Sequence, residues 1–160
     1  DSTDAFVFGL KGFDDRRTTS VLGGHLEFIL KNIETAVAQG KHVEIHYLVL
    51  GSMKEAEQEA RELIQWIQET DSLIPIIIQR EVPSYLEKDG TDPIVSDHVF
   101  KLFHQKFPYV YNLDDEEKIN SICRHCGEIS LTRSRQSSLV SFGYDLKCPG
   151  CGEKLDFDIS

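Results

Sequence analysis

Apolar positions follow two periods along this chain, and each change of period marks a new element. Ala5 to Leu10 (AFVFGL) is a short apolar and aromatic run, bounded by Asp4 and by the turn-forming Lys11-Gly12-Phe13-Asp14-Asp15, which reads as a buried strand. From about Gly24 to Gln39, apolar residues recur at Leu26, Ile29, Leu30, Ile33, Ala36 and Val37. That spacing predicts a helix with one apolar stripe, and Gly40 suits a left-handed cap at its end. His42 to Leu50 (HVEIHYLVL) predicts a second strand. Its alternation places Val43, Ile45, Tyr47 and Val49 under helices and leaves Glu44 and His46 on the opposite face. Ser52 and Glu55 have capping-box spacing, and Ala56, Ala60, Leu63, Ile64 and Ile67 carry the helical period to about Glu69. Ile74 to Gln79 is a third strand, apolar throughout, with Pro75 tolerable only near its start.

After a polar loop from Glu81 to Pro93, Ser96 is the expected N-cap of a third helix. Val99, Phe100, Phe103 and Phe107 share one of its faces, and Pro108 ends it. Tyr109-Val110-Tyr111 closes the series as a short strand. Strand and helix alternating in this order predict parallel βαβ units with right-handed crossovers. The acidic run Asp114 to Glu117 reads as a solvated linker, dividing the chain into residues 1–113 and 114–160.

The second segment carries the chemistry most legible in the sequence. Cys123-Arg124-His125-Cys126-Gly127 and Cys148-Pro149-Gly150-Cys151-Gly152 are two C-x-x-C knuckles separated by 21 residues. Two intervening residues let both sulfurs of a pair point into one turn, and a following Gly frees the backbone there. Cys123, Cys126, Cys148 and Cys151 are therefore expected to hold one structural zinc ion, ahead of iron and of a redox dithiol. Ile129 to Arg135 and Leu139 to Tyr144, broken by Gln136-Ser137-Ser138, predict a hairpin with a knuckle at each end. His125 reads as an exposed loop residue, and Arg124, Arg133, Arg135 and Lys147 as cations that offset the thiolate charge. A module this small folds largely through its metal.

Composition narrows the partners. The net charge is −10, with 12 basic and 22 acidic residues in 1–118 against 5 and 5 in 119–160, so a nucleic-acid partner is not expected. No apolar run reaches the length of a membrane span. All four cysteines lie in the knuckles, which suits a reducing compartment, with cytoplasm as the expectation.

Taken in order, several segments resemble the carboxy-terminal half of radical SAM enzymes of the activating-enzyme type, specifically the AmmeMemoRadiSam-system group. Gly9-Leu10-Lys11 ends the first strand where the family carries Asp-Leu-Lys. Val43-Glu44-Ile45-His46-Tyr47-Leu48-Val49 matches its next strand, and Arg80, Pro83 and Tyr85 match an Arg-x-x-Pro-x-Tyr pattern. Tyr109-Val110-Tyr111-Asn112 and two cysteine knuckles with Arg133 between them follow. The resemblance implies a partial (β/α) barrel with parallel strands and flanking helices, then a small β zinc ribbon. S-adenosylmethionine would lie across the carboxyl ends of the strands, near Lys11, Glu44, His46 and Arg80. In the parent enzyme a four-iron four-sulfur cluster would cleave it.

The cluster-binding C-x-x-x-C-x-x-C and the Gly-Gly-Glu element of the family are absent here, Gly9 replaces the Asp of Asp-Leu-Lys, and Leu50-Gly51-Ser52-Met53 replaces Pro-Gly-Asn-Asp. The chain by itself is thus expected to be a non-catalytic carboxy-terminal portion, and the missing amino-terminal half of the barrel its first partner. A protein substrate for the parent, and self-association through uncovered strand edges, are further expectations. The alternative is a stand-alone α/β zinc-ribbon module for protein interaction or structural support.

Overall fold

The computed structural model of the chain describes residues 3–82, 90–134, 138–141 and 145–155. It is an α/β structure in two compact units, Asp1–Asp114 and Asp115–Ser160. In the first unit, strands β1 (Ala5–Lys11), β2 (His42–Val49), β3 (Ile76–Arg80) and β4 (Val110–Asn112) form one sheet in the order β1-β2-β3-β4. Every pairing is parallel, with Ile45 against Ile76 and Ile76 against Val110. Among the described residues the helices that accompany the strands are α1 (Asp15–Leu22), α2 (Leu26–Ala38), α3 (Met53–Thr70) and α4 (Pro93–His104). No helix among the described residues is long and apolar enough to cross a membrane.

The alternation of β2 determines where the core lies. Val43, Ile45, Tyr47 and Val49 are buried, together with Ile76, Ile78 and Val110 at matching register, and the buried residues of α2, α3 and α4 join them in one cluster. Among the described residues, the helices therefore cover a single face of the sheet. The other face carries Val7, Lys11, Glu44, His46, Leu48, Ile77 and Tyr111, all half-buried or exposed. Helix α3 shows what holds this arrangement. The predicted capping box forms, with the Ser52 N–H donating to Glu55 Oε2 at 2.9 Å, and Ala56, Ala60, Leu63, Ile64 and Ile67 are buried. Leu63 and Ile67 retain none of their surface, and each stabilises the fold by about 1.5–3 kcal/mol. Replacing Leu63 with Asp would place a carboxylate at the centre of this layer.

Three features depart from the sequence expectations. Helix α1 has no apolar stripe to announce it, since only Thr18 of DRRTTSVL is buried. It starts where Asp14 Oδ1 accepts from the Arg17 N–H at 2.8 Å, and it ends at Gly23, whose φ is 70°. Helix α4 is capped by Asp92, which accepts from the Ile94 N–H at 2.9 Å with Pro93 in the first turn. Ser96 is instead buried inside that helix, its hydroxyl donating to Asp114 at 3.2 Å. The acidic run is also structured rather than freely solvated. Asp114 Oδ2 accepts from the Arg80 N–H at 2.8 Å, and Asp115 caps a short 3-10 turn, Glu116–Lys118, while pairing with Lys118 at 2.7 Å.

In the second unit β5 (Ser121–Ile122), β6 (Ile129–Arg133) and β7 (Ser138–Val140) form an antiparallel sheet in that order. The strands expected to form a hairpin pair as β6 and β7, with Leu131 opposite Val140 and Arg133 opposite Ser138, while Arg135 to Ser137 and Phe142 to Tyr144 lie outside the described residues. Among the described residues its buried apolar cluster consists of Cys123, Cys148 and Leu155.

Candidate metal centre

The two knuckles repeat one hydrogen-bonding scheme. In the first, the Cys123 N–H donates to the Glu128 carbonyl at 2.8 Å and the Gly127 N–H returns to the Cys123 carbonyl at 2.8 Å. In the second, the Cys148 N–H donates to Glu153 at 2.8 Å and the Gly152 N–H to Cys148 at 2.9 Å. Gly127 and Gly152 occupy the same left-handed position, with φ of 78° and 76°. A side chain there would be strained, which is why each C-x-x-C is followed by glycine.

Both knuckles aim their sulfurs at one point. The four Sγ atoms lie within 4.8 Å of one another, with Cys126 to Cys148 at 3.5 Å and Cys123 to Cys151 at 3.7 Å. All four thiols are free, with no disulfide among them. A tetrahedral ion with sulfurs at about 2.3 Å requires sulfur separations of about 3.8 Å, close to both contacts. The donor set therefore fits a metal ion. Cys123 and Cys148 are buried, each 2% exposed, whereas Cys126 and Cys151 are exposed.

Electrostatics make the same demand. The N–H groups of Cys126 and His125 point at the Cys123 sulfur and hold its pKa down to about 6. At Cys151 the N–H of Glu153 favours the thiolate, but desolvation and the three neighbouring sulfurs outweigh it and push the thiol up to about 12. Cys126 is raised too: the N–H of Glu128 favours its thiolate, but desolvation and the sulfurs of Cys148 and Cys123 outweigh it. The Cys123 thiolate is thus easily formed while those of Cys126 and Cys151 are opposed, a balance that a cation at the centre would reverse.

Of the cations expected to offset the thiolate charge, Arg133 makes contacts elsewhere. Arg133 Nη1 donates to the Ile119 carbonyl at 3.0 Å and to Ser121 Oγ at 2.7 Å, so it braces β5 against β6. His125 is exposed and is not one of the clustered donors, while Arg135 lies outside the described residues.

The strand-end residues divide into two groups. Lys11, Glu44 and His46 share the helix-free face of the sheet, with Gly9 beside His46 in register and Lys11 beside Leu48. Glu44 also meets the ring of His42 at 3.1 Å. Arg80 does not join them. It lies opposite Val49, on the parity of the helix-covered face, with its Nε 3.8 Å from Asp114. Pro83 and Tyr85 lie outside the described residues.

One polar cluster at the carboxyl end of β1 escaped the sequence reading. Glu59, 8% exposed, accepts from Arg17 Nη1 at 2.6 Å and from the Phe13 N–H, beside Gly12. Its signal was its position three residues after Ala56, on the buried stripe of α3, where an ionised side chain needs a partner. Neither a protein-family model nor a curated protein matches the chain.

Proposed function

We propose that this chain is the carboxy-terminal portion of a radical S-adenosylmethionine enzyme of the activating type: a four-strand section of a (β/α) barrel followed by a structural zinc ribbon. The observation that carries the reading is the strand order β1-β2-β3-β4, all parallel, with helices on one face only among the described residues. A doubly wound sheet reverses its order and is covered on both faces, whereas a stretch of barrel wall runs sequentially and leaves its inner face for the lumen. On that inner face Lys11 offers an ammonium to a carboxylate, and Glu44 and His46 offer hydrogen bonds to hydroxyl or amine groups. Arg80, engaged with Asp114, would position the strand end rather than meet the ligand.

The four cysteines are the only ones in the chain and all belong to the knuckles, so an iron–sulfur cluster would be held by the amino-terminal half of the parent. When bound there, that cluster would supply the electron that cleaves S-adenosylmethionine. Zinc suits the ribbon because four thiolates fill a closed tetrahedral site, and thiolates of this kind persist in a reducing compartment such as the cytoplasm. Titration of S-adenosylmethionine into the parent protein tests the reading, with Lys11→Ala expected to weaken binding about tenfold, the loss of one charge-assisted contact. Unchanged affinity in that variant would remove Lys11 from the site. A second reading, a stand-alone zinc-ribbon module for protein interaction, draws on the exposed Ile122, Ile129, Leu139 and Val140 of the ribbon. It requires no affinity for S-adenosylmethionine at all.

A further inference from the structure

The four sulfurs of the ribbon differ in their surroundings, and the difference has a chemical consequence. Cys123 is buried and receives two backbone N–H groups, which draw electron density from its sulfur. Cys148 is buried and its sulfur accepts the Gly150 N–H at 3.4 Å. Cys126 and Cys151 are exposed, and each receives a single backbone N–H, from Glu128 and Glu153; beside the Cys126 sulfur the second knuckle carries a residue without a side chain, Gly150. A methyl group on Gly150 would stand 3.4 Å from Cys126 Sγ, and 3.2 Å and 3.3 Å from Glu128 Cβ and Cγ. The Cys126 and Cys148 sulfurs meet across the knuckles at 3.5 Å, a shorter contact than the 3.7 Å between Cys123 and Cys151.

We propose that Cys126 is the site at which a hydroperoxide oxidises the loaded ribbon, and that Cys148 resolves it, releasing the metal. The proposal rests on the zinc reading of the four-cysteine centre. The metal-bound thiolate of Cys126 attacks the distal oxygen of the peroxide, the O–O bond breaks, and the hydroperoxide leaves as water or an alcohol after protonation. Cys126 is then a sulfenic acid. The Cys148 thiolate attacks that sulfur, the S–O bond breaks, and the oxygen departs as a second water. Two thiolates have lost two electrons, the peroxide has gained them, and a Cys126–Cys148 disulfide remains. The ion keeps only Cys123 and Cys151, too few to hold it, and leaves hydrated. Because the buried apolar cluster of this unit, among the described residues, is Cys123, Cys148 and Leu155, loss of the ion removes most of what orders it.

The test uses the full chain, reduced and loaded with zinc, with hydrogen peroxide as the probe. Released zinc is followed with a chromogenic chelator, and the first disulfide is mapped by peptide mass spectrometry without reduction. The expected result is one zinc released per chain, a first disulfide linking Cys126 to Cys148, and several-fold slower release in Gly150→Ala with full zinc content before peroxide. A first disulfide within one knuckle, an unchanged rate in Gly150→Ala, or zinc retained after excess peroxide overturns the proposal while leaving the zinc site standing. Protein that takes up no zinc before peroxide overturns both.

Discussion

Removing the hydroxyl of Tyr47 should stabilise the first unit. Tyr47 is 1% exposed on the helix-covered face of β2, its ring 5.9 Å from that of Phe103, and its Oη is buried with no hydrogen-bond partner among the described residues. A buried hydroxyl left unpaired costs about 1–3 kcal/mol, and Tyr47→Phe removes that cost while keeping the ring and its contacts. With a urea m-value of about 1–3 kcal/mol per molar, the lower bound of the gain shifts the midpoint upward by about half a molar. Trp66, the only tryptophan, lies in α3 and reports this unit by fluorescence.

The effect also has a pH signature. Desolvation, with the charge of Glu59 adding to it, pushes the Tyr47 phenol well above its ordinary value of 10.0. Above pH 10 the unfolded chain ionises this group and the folded chain does not. The unfolded state then binds fewer protons, and wild type loses about 1.4 kcal/mol per pH unit from this residue alone. Below pH 10 that contribution is fully present. The advantage of Tyr47→Phe should therefore be constant from pH 7 to pH 9 and grow above pH 10. A midpoint lowered by the substitution at pH 7 would refute the reasoning and show that the hydroxyl is satisfied, for instance by a buried water.

Three further outcomes test other parts of the structure. Gly12→Ala should cost more than about 2 kcal/mol in the same urea assay, because φ is +77° and the new methyl would meet Arg17 Nη1 at 2.5 Å and Glu59 Oε2 at 2.7 Å. A loss below about 1 kcal/mol, the left-handed strain alone, would mean that the Arg17–Glu59 pair yields freely. Chelation of zinc-loaded protein should abolish amide protection across 121–133 and leave the Trp66 transition within about 0.5 kcal/mol of its original position, as expected if the two units unfold independently. Coincident loss of both would join the two units into one cooperative system. Self-association should occur through β1, whose Ala5, Phe6 and Val7 are exposed on an edge that no strand covers among the described residues. Val7→Lys should shift sedimentation toward monomer without changing the urea midpoint, and an unaltered profile would place the contact elsewhere.

The sequence by itself determined the elements whose period is clean. In β2 the alternation of Val43, Ile45, Tyr47 and Val49 fixed both the strand and its buried face, because one polar residue separates each apolar pair except at Leu48. The C-x-x-C-Gly spacing likewise specified the four clustered sulfurs, since the turn that brings two cysteines together is local and needs only its glycine. Helix α1 was not legible, because a helix that buries only Thr18 leaves no stripe, and the cap of α4 was lost among several polar residues able to serve. Arg80 shows most clearly what only the tertiary structure decided. Ile76, Ile77 and Ile78 are all apolar, so the sequence of β3 does not say which face its last residue takes. Pairing with β2 sets that parity, opposing Arg80 to Val49 and delivering it to Asp114, 34 residues away in the chain. Lys11, Glu44 and His46 lie on the other side of the same sheet.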